Sequence, residues 1–164
     1  MNKPEVTIIH HTAVGGNSHQ FNAVNSYHRS KGFPKSSLGY YVGYHYMIGK
    51  DGNIAQARLH SDIGAHTVGW NDRSIGICLS GNFNYERPTQ RQLEALRGLV
   101  KRLGLPADLH KFRQINRTCP GDNFTLDLLD DPQDSEDNIK EAMIRYYMKK
   151  YPRLKAWILQ LLHR

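Results

Sequence analysis

The stretch "LHKFRQINRTCPG", residues 109–121, holds His110 and Cys119 with eight residues between them, and Pro120-Gly121 follow at once. An imidazole and a thiolate both suit a borderline-soft cation such as zinc, and a catalytic zinc takes three protein ligands with one position left for water. The one-helix pattern H-E-x-x-H and any C-x-x-C pair are absent from the chain, so a metal centre here has to be assembled from distant segments. The alternative is an inert cysteine behind a surface histidine. Cys119 lies among polar residues beside Pro and Gly, a loop setting suited to chemistry, whereas Cys78 in "SIGICLSG" reads as a small buried hydrophobe.

Third ligands are to be sought among the nine histidines. His10 and His11 end an apolar strand-like run, and alternation sends them to opposite faces, so only one of them can enter a given site. His45 is flanked by Tyr44 and Tyr46, and His66 lies in the glycine-bracketed "GAHTVGW". His19, His28 and His163 stand in surface-like contexts.

The elements that must position these groups alternate along the chain. "EVTIIHHTA" has the composition of a strand, and Gly15-Gly16-Asn17-Ser18 of a loop. Residues 20–31 place Phe21, Val24, Tyr27 and His28 at helical spacing before Gly32 and Pro34. "YYVGYHYMIGKDGNIAQAR" reads as a hairpin turning at "KDGN", and "SIGICLSGNF" as a short apolar strand. Thr89 is placed to cap a helix that carries Leu93, Leu96, Leu99, Val100 and Leu103 on one face and closes at Gly104. "ADLHKF" supplies one more short strand. The expected fold class is α/β, a mixed β-sheet flanked by helices.

After the acidic, turn-rich "LDLLDDPQDSED" the character changes. Ile139, Ala142, Met143, Tyr146 and Tyr147, then Leu154, Trp157, Ile158, Leu161 and Leu162 beyond Pro152, each repeat the spacing of a short amphipathic helix. The expected organisation is a domain over residues 1–131 and a basic helical tail over 132–164, packed on the domain in part. From Lys140 onward there are seven basic residues and one acid, so residues 1–139 carry only +1 of the formal +7. The domain is nearly neutral and has no recognition motif, which argues against a nucleic-acid partner.

The basic tail with Trp157 fits contact with an anionic membrane or envelope. Removing residues 152–164 is expected to weaken binding to anionic liposomes, and unchanged binding rejects the idea. No apolar run approaches the roughly 20 residues of a membrane span, and two cysteines are too few for a disulfide framework. "MNKPEVTIIHH" runs directly into a strand without a signal-peptide core. The expectation is a monomer held in the cytoplasm until another factor releases it.

Four motifs in order, "TIIHHTA", "GYHYMIGKDG", "GAHTVGWNDRSIGICLSGNF" and "HKFRQINRTCPG", resemble the type-2 N-acetylmuramoyl-L-alanine amidases over about residues 5–130. That family includes phage amidase lysins and animal peptidoglycan-recognition proteins. The resemblance implies a zinc centre in an open groove over a mixed sheet, with His10, His110 and Cys119 as ligands. It implies Tyr44 as the catalytic partner beside the metal-activated water, and His66 as a histidine lining the substrate groove, with Trp70 a candidate to stack on sugar or peptide at its rim. The implied activity is hydrolysis of the N-acetylmuramoyl–L-alanine amide of bacterial peptidoglycan, with a phage endolysin as the role. In that case the protein waits in the host cytoplasm until released to the wall. The alternative is a recognition module that binds without cutting, and such members typically lack the metal cysteine. Two features depart from the family pattern. The loop from His110 to Cys119 is longer by one residue, and the family's catalytic Lys or Thr, two residues before the cysteine, is here Arg117 with Thr118 next to the cysteine. Either Arg117 or Thr118 is left facing the substrate.

Overall fold

The structure is a computed structural model that describes residues 1–16, 19–115 and 117–130. The tail over 132–164 with its two amphipathic stretches lies outside the described residues, as do Asn17 and Ser18 of the glycine-rich loop and Asn116.

Strand β1 (Val6–His11) is buried along its whole length, as the interior strand of a parallel sheet must be, since helices cover both faces. The other strands are β2 (Tyr46–Ile48), β3 (Ile54–Gln56), β4 (Ser74–Leu79) and β5 (Ala107–Leu109). They line up in the order β3-β2-β4-β1-β5. β1, β2, β4 and β5 run parallel, and β3 joins antiparallel through the hairpin. The sheet is mixed, as the alternation of elements in the sequence requires.

Helix α1 (Phe21–Ser30) follows β1, and α2 (Gln90–Leu103) follows β4. Thr89 caps α2 through a reciprocal box: its hydroxyl accepts from the Gln92 N–H, and the Gln92 side chain accepts from the Thr89 N–H, both at 3.1 Å. Gly104, at φ 63°, ends the helix in the left-handed conformation that glycine adopts without strain. Leu93, Leu96 and Leu99 of α2 pack with Ile9, Ile48, Ile75, Ile77 and Leu79 of the sheet. Each such leucine contributes about 1.5–3 kcal/mol by leaving water. The opposite face carries Val42, Met47, Ala57 and Cys78, covered by Phe21 and Val24 of α1 and by Tyr44. Alternation along β1 therefore sends Ile9 and His11 toward α2, and His10 toward α1.

The hairpin is shorter than its sequence suggests, because β2 begins only at Tyr46. The reason is that the backbone of 42–43 bonds to side chains and to another loop: Val42 C=O accepts from Arg58 Nε at 2.7 Å, Gly43 N–H donates to His28 Nδ1 at 3.0 Å, and Gly43 C=O accepts from Ala65 N–H at 2.9 Å. Arg58 is only 2% exposed. Its guanidinium also donates to Ile63 C=O at 3.1 Å and Pro34 C=O at 2.6 Å, so that one side chain ties three loops together.

His28 corrects the surface expectation. It is buried, stacked on Phe33 with centroids 4.2 Å apart, while Tyr27 on the same helix is exposed. The helical spacing sets it on the face of Phe21 and Val24, and there it packs against Phe33 and Tyr44 with its Nδ1 satisfied by the Gly43 N–H. No helix among the described residues is long and apolar enough to cross a membrane.

Candidate metal centre

The parallel pairing of β1 with β5 puts Ile9 opposite Leu109, so the next residues, His10 near the end of β1 and His110 just past β5, lie side by side at the carboxyl end of the sheet, their ring centres 4.4 Å apart. That end is where open α/β sheets present their sites. His110 opens the short helix α3 (His110–Arg113), and the chain returns so that Cys119 C=O accepts from Lys111 N–H at 2.8 Å. The Cys119 sulfur accepts from the His11 N–H at 3.4 Å. One ligand atom from each of His10, His110 and Cys119 then lies within 4.8 Å of the others.

The hydrogen bonds define which atoms are available. His10 Nε2 is engaged by His66 Nδ1 at 3.1 Å and Thr67 Oγ1 at 3.3 Å, leaving Nδ1 facing Cys119 Sγ at 3.7 Å. Bonds of about 2.1 Å to nitrogen and 2.3 Å to sulfur around a tetrahedral zinc put those two atoms about 3.6 Å apart. His110 Nε2 is engaged by Gln114 Oε1 at 2.9 Å, and its Nδ1 is buried with no partner. An orphaned buried nitrogen costs about 1–3 kcal/mol unless something fills its lone pair, and here it belongs to a ring with a ligand atom within 4.8 Å of those of His10 and Cys119.

Electrostatics point the same way. Burial holds His10 well below the ordinary histidine range, with lesser contributions from His66, His110 and His11. Burial also lowers His110, aided by the Arg117 charge and opposed by the Gln114 bond. Both rings are therefore neutral near pH 7 and carry free lone pairs. Burial pushes the Cys119 thiol up to about 11 against the pull of the His11 N–H, Arg117 and Lys111, so a bound cation is what turns it into a thiolate. Two neutral imidazoles and one thiolate would leave one net positive charge on a divalent ion. The residues present fit zinc.

The remaining site candidates are spread around this cluster. The Tyr44 ring lies 5.0 Å from that of His10. Burial, with Cys78 and Cys119 nearby, raises its phenol well above the usual range. Together with Thr12, Gln20, Val24, Tyr27 and His28, it lines an open groove of about 600 Å³ between α1 and the loop after β1. His66 backs His10, and its loop is held by Asn71 Oδ1, which accepts from the His66 and Thr67 N–H groups, both at 2.8 Å. Gly64 and Gly76 are required beneath it: a Cβ on either would come within 2.6 Å of the His66 ring. Burial holds His66 well below the ordinary range, so it too is neutral.

Trp70 is half-buried, with the Arg73 and Arg113 guanidinium carbons 4.1 and 4.2 Å from its ring centre, and it does not line the groove. Arg117 and Thr118 are both exposed. The Arg117 charge reaches His110 and Cys119, while Thr118 C=O accepts from Gly121 N–H at 2.7 Å. His11 faces away, its Nδ1 accepting from Phe83 N–H at 3.0 Å.

Three positioning residues escaped the sequence: Thr67, Gln114 and His28. Gln114 stands four residues after His110, a spacing that signals a contact only once a helix is known to start at His110.

Residues 1–122 match the family model described as N-acetylmuramoyl-L-alanine amidase. The chain belongs to the N-acetylmuramoyl-L-alanine amidase family. Among relatives of this amidase-family chain is the Drosophila melanogaster peptidoglycan-recognition protein SC2, 36% identical over 125 residues, which are 71% of this chain and 68% of the relative. A human N-acetylmuramoyl-L-alanine amidase is 34% identical over 96 residues, 54% of this chain but 16% of that protein. Among solved structures, the amidase LysC from Clostridium intestinale URNW is 30% identical with a TM-score of 0.67, covering 78% of this chain and 83% of its own. Peptidoglycan recognition protein-LE, solved in complex with tracheal cytotoxin, is 26% identical with a TM-score of 0.63, covering 74% and 76%. The mixed sheet and flanking helices described above are the fold of this family.

Proposed function

We propose that the protein is a zinc-dependent amidase that hydrolyses the N-acetylmuramoyl–L-alanine bond of bacterial peptidoglycan. The observation that carries this reading is the convergence of one ligand atom from each of His10, His110 and Cys119 within 4.8 Å, with Nε2 of each histidine already engaged by a neighbour. These three residues would hold the zinc, which would supply Lewis-acid activation of water and of the amide carbonyl. His66 and Thr67 fix the tautomer of His10 from behind. Tyr44, kept protonated by burial, donates its O–H to the amide oxygen as negative charge develops there. Arg117, exposed at the rim, attracts the carboxylates of the stem peptide but cannot give up a proton, whereas Thr118 offers a neutral hydroxyl. Water oxygen joins the lactyl carbonyl carbon, the carbon–nitrogen bond breaks, and a proton passes to the departing L-alanine amine.

Similarity to a solved endolysine amidase, LysCS from the same Clostridium and 29% identical, supports a lysin role in which the protein reaches the wall after release from the cytoplasm. The second reading, a binding module without cleavage, is favoured by the recognition proteins among the relatives.

The two readings separate on the purified full chain. One zinc per molecule, with release of free stem peptides from peptidoglycan that stops on adding chelator and returns on adding zinc, is the amidase result. Metal-free protein that sediments with peptidoglycan and releases nothing is the recognition result, and it overturns the proposal.

A further inference from the structure

We infer that Gln114 is a positioning residue for the metal ligand His110, setting which of its ring nitrogens faces the ion; the inference rests on the zinc reading above. Helix α3 begins at His110 where β5 ends, and one turn later Gln114 N–H donates to His110 C=O at 3.1 Å. The Gln114 side chain then returns along the same turn, so that Oε1 accepts from His110 Nε2–H at 2.9 Å. A neutral imidazole has one N–H and one lone pair. With the proton committed to Gln114, the lone pair is forced onto Nδ1, the buried nitrogen that has no protein partner, in a ring that reaches within 4.8 Å of the ligand atoms of His10 and Cys119.

This contact bears on the long loop between the two ligands. Because the ring is clamped by the residue that caps α3, the length of the chain from there to Cys119 does not set the direction of His110. His10 is clamped in the same way from the other side, through Nε2 by His66 and Thr67. Both imidazoles thus present Nδ1, and in both the support comes from a group without formal charge. A carboxylate in place of the Gln114 amide makes the ring a stronger donor, since the outer partner of a metal-bound histidine tunes ligand basicity.

The test uses the full chain with Gln114→Met, which keeps the length of the side chain and removes the acceptor, and Gln114→Glu, which keeps the acceptor and adds charge. Zinc affinity is read by competition with a chromophoric chelator, and the melting temperature of the metal-free protein is read alongside. Gln114→Met is expected to bind zinc about 10- to 100-fold more weakly with metal-free melting unchanged, while Gln114→Glu binds at least as tightly as the parent. The inference is overturned if Gln114→Met binds zinc as tightly as the parent, or weakens only in proportion to a loss of metal-free stability. It is also overturned if Gln114→Glu falls as far as Gln114→Met. A parent protein that takes up no zinc sinks the metal reading itself, and the parent measurement alone reveals that outcome.

Discussion

Cys119→Ser is expected to abolish both zinc retention and stem-peptide release, lowering the hydrolysis rate by about 10³-fold or more, or roughly 4 kcal/mol of lost transition-state stabilisation. A serine hydroxyl does not ionise beside a divalent cation as a thiol does, and two imidazoles alone make a weak site. The fold survives the change. In the protein Cys119 contributes a backbone carbonyl bonded to Lys111 N–H, which serine retains, and one long N–H···S contact from His11. His11→Ala serves as the contrast: its side chain accepts from Phe83 N–H on the other face of β1, so zinc stays bound. Metal analysis by mass spectrometry, together with chromatography of released muropeptides, decides the matter. A Cys119→Ser protein that still holds stoichiometric zinc would show that the sulfur is not a ligand.

Arg58→Met carries the largest expected cost to stability. The Arg58 side chain is the largest among the fully buried ones of the described residues, and it donates to the carbonyls of Pro34, Val42 and Ile63. Methionine fills much of the same volume but leaves those three carbonyls without donors, at about 1–3 kcal/mol for each that stays buried and unpaired. Partial relaxation brings the expected total to about 3–5 kcal/mol, a large share of the stability of an ordinary domain. Val42 lies two residues before Tyr44, and Ile63 three before His66, so hydrolysis falls along with stability. Arg58→Lys recovers only part, because an ammonium cannot reproduce the guanidinium fork. Urea denaturation is the measurement, and a Met variant within about 1 kcal/mol of the parent refutes the role assigned to Arg58.

Much of the fold was legible because its signals are local. The Thr89 cap, the leucine face of α2 and the Gly104 stop are properties of a sixteen-residue window, and all three stand as read. The apolar run ending in His10-His11 and the strand "SIGICL" were legible for the same reason. The hairpin is shorter than its pattern, and His28 is more buried than its context suggests, because side chains distant in sequence meet there: Arg58 bonds Val42, Phe33 stacks on His28, and His28 bonds Gly43. Periodicity carries no record of such bonds.

The candidate site divides along the same line. By itself the sequence determined the chemistry: the residue types, His10 and His11 on opposite faces of a strand, Cys119 in a loop, and a family whose motifs occur in order. Only the tertiary structure decided which atoms meet. The pairing of β1 with β5 sets His10 beside His110, and the hydrogen bonds to His66, Thr67 and Gln114 occupy Nε2 of both rings and leave Nδ1 free. The physical reason is that a strand's alternation fixes a side chain's face, whereas the proton and direction of an imidazole are fixed by whatever packs behind it.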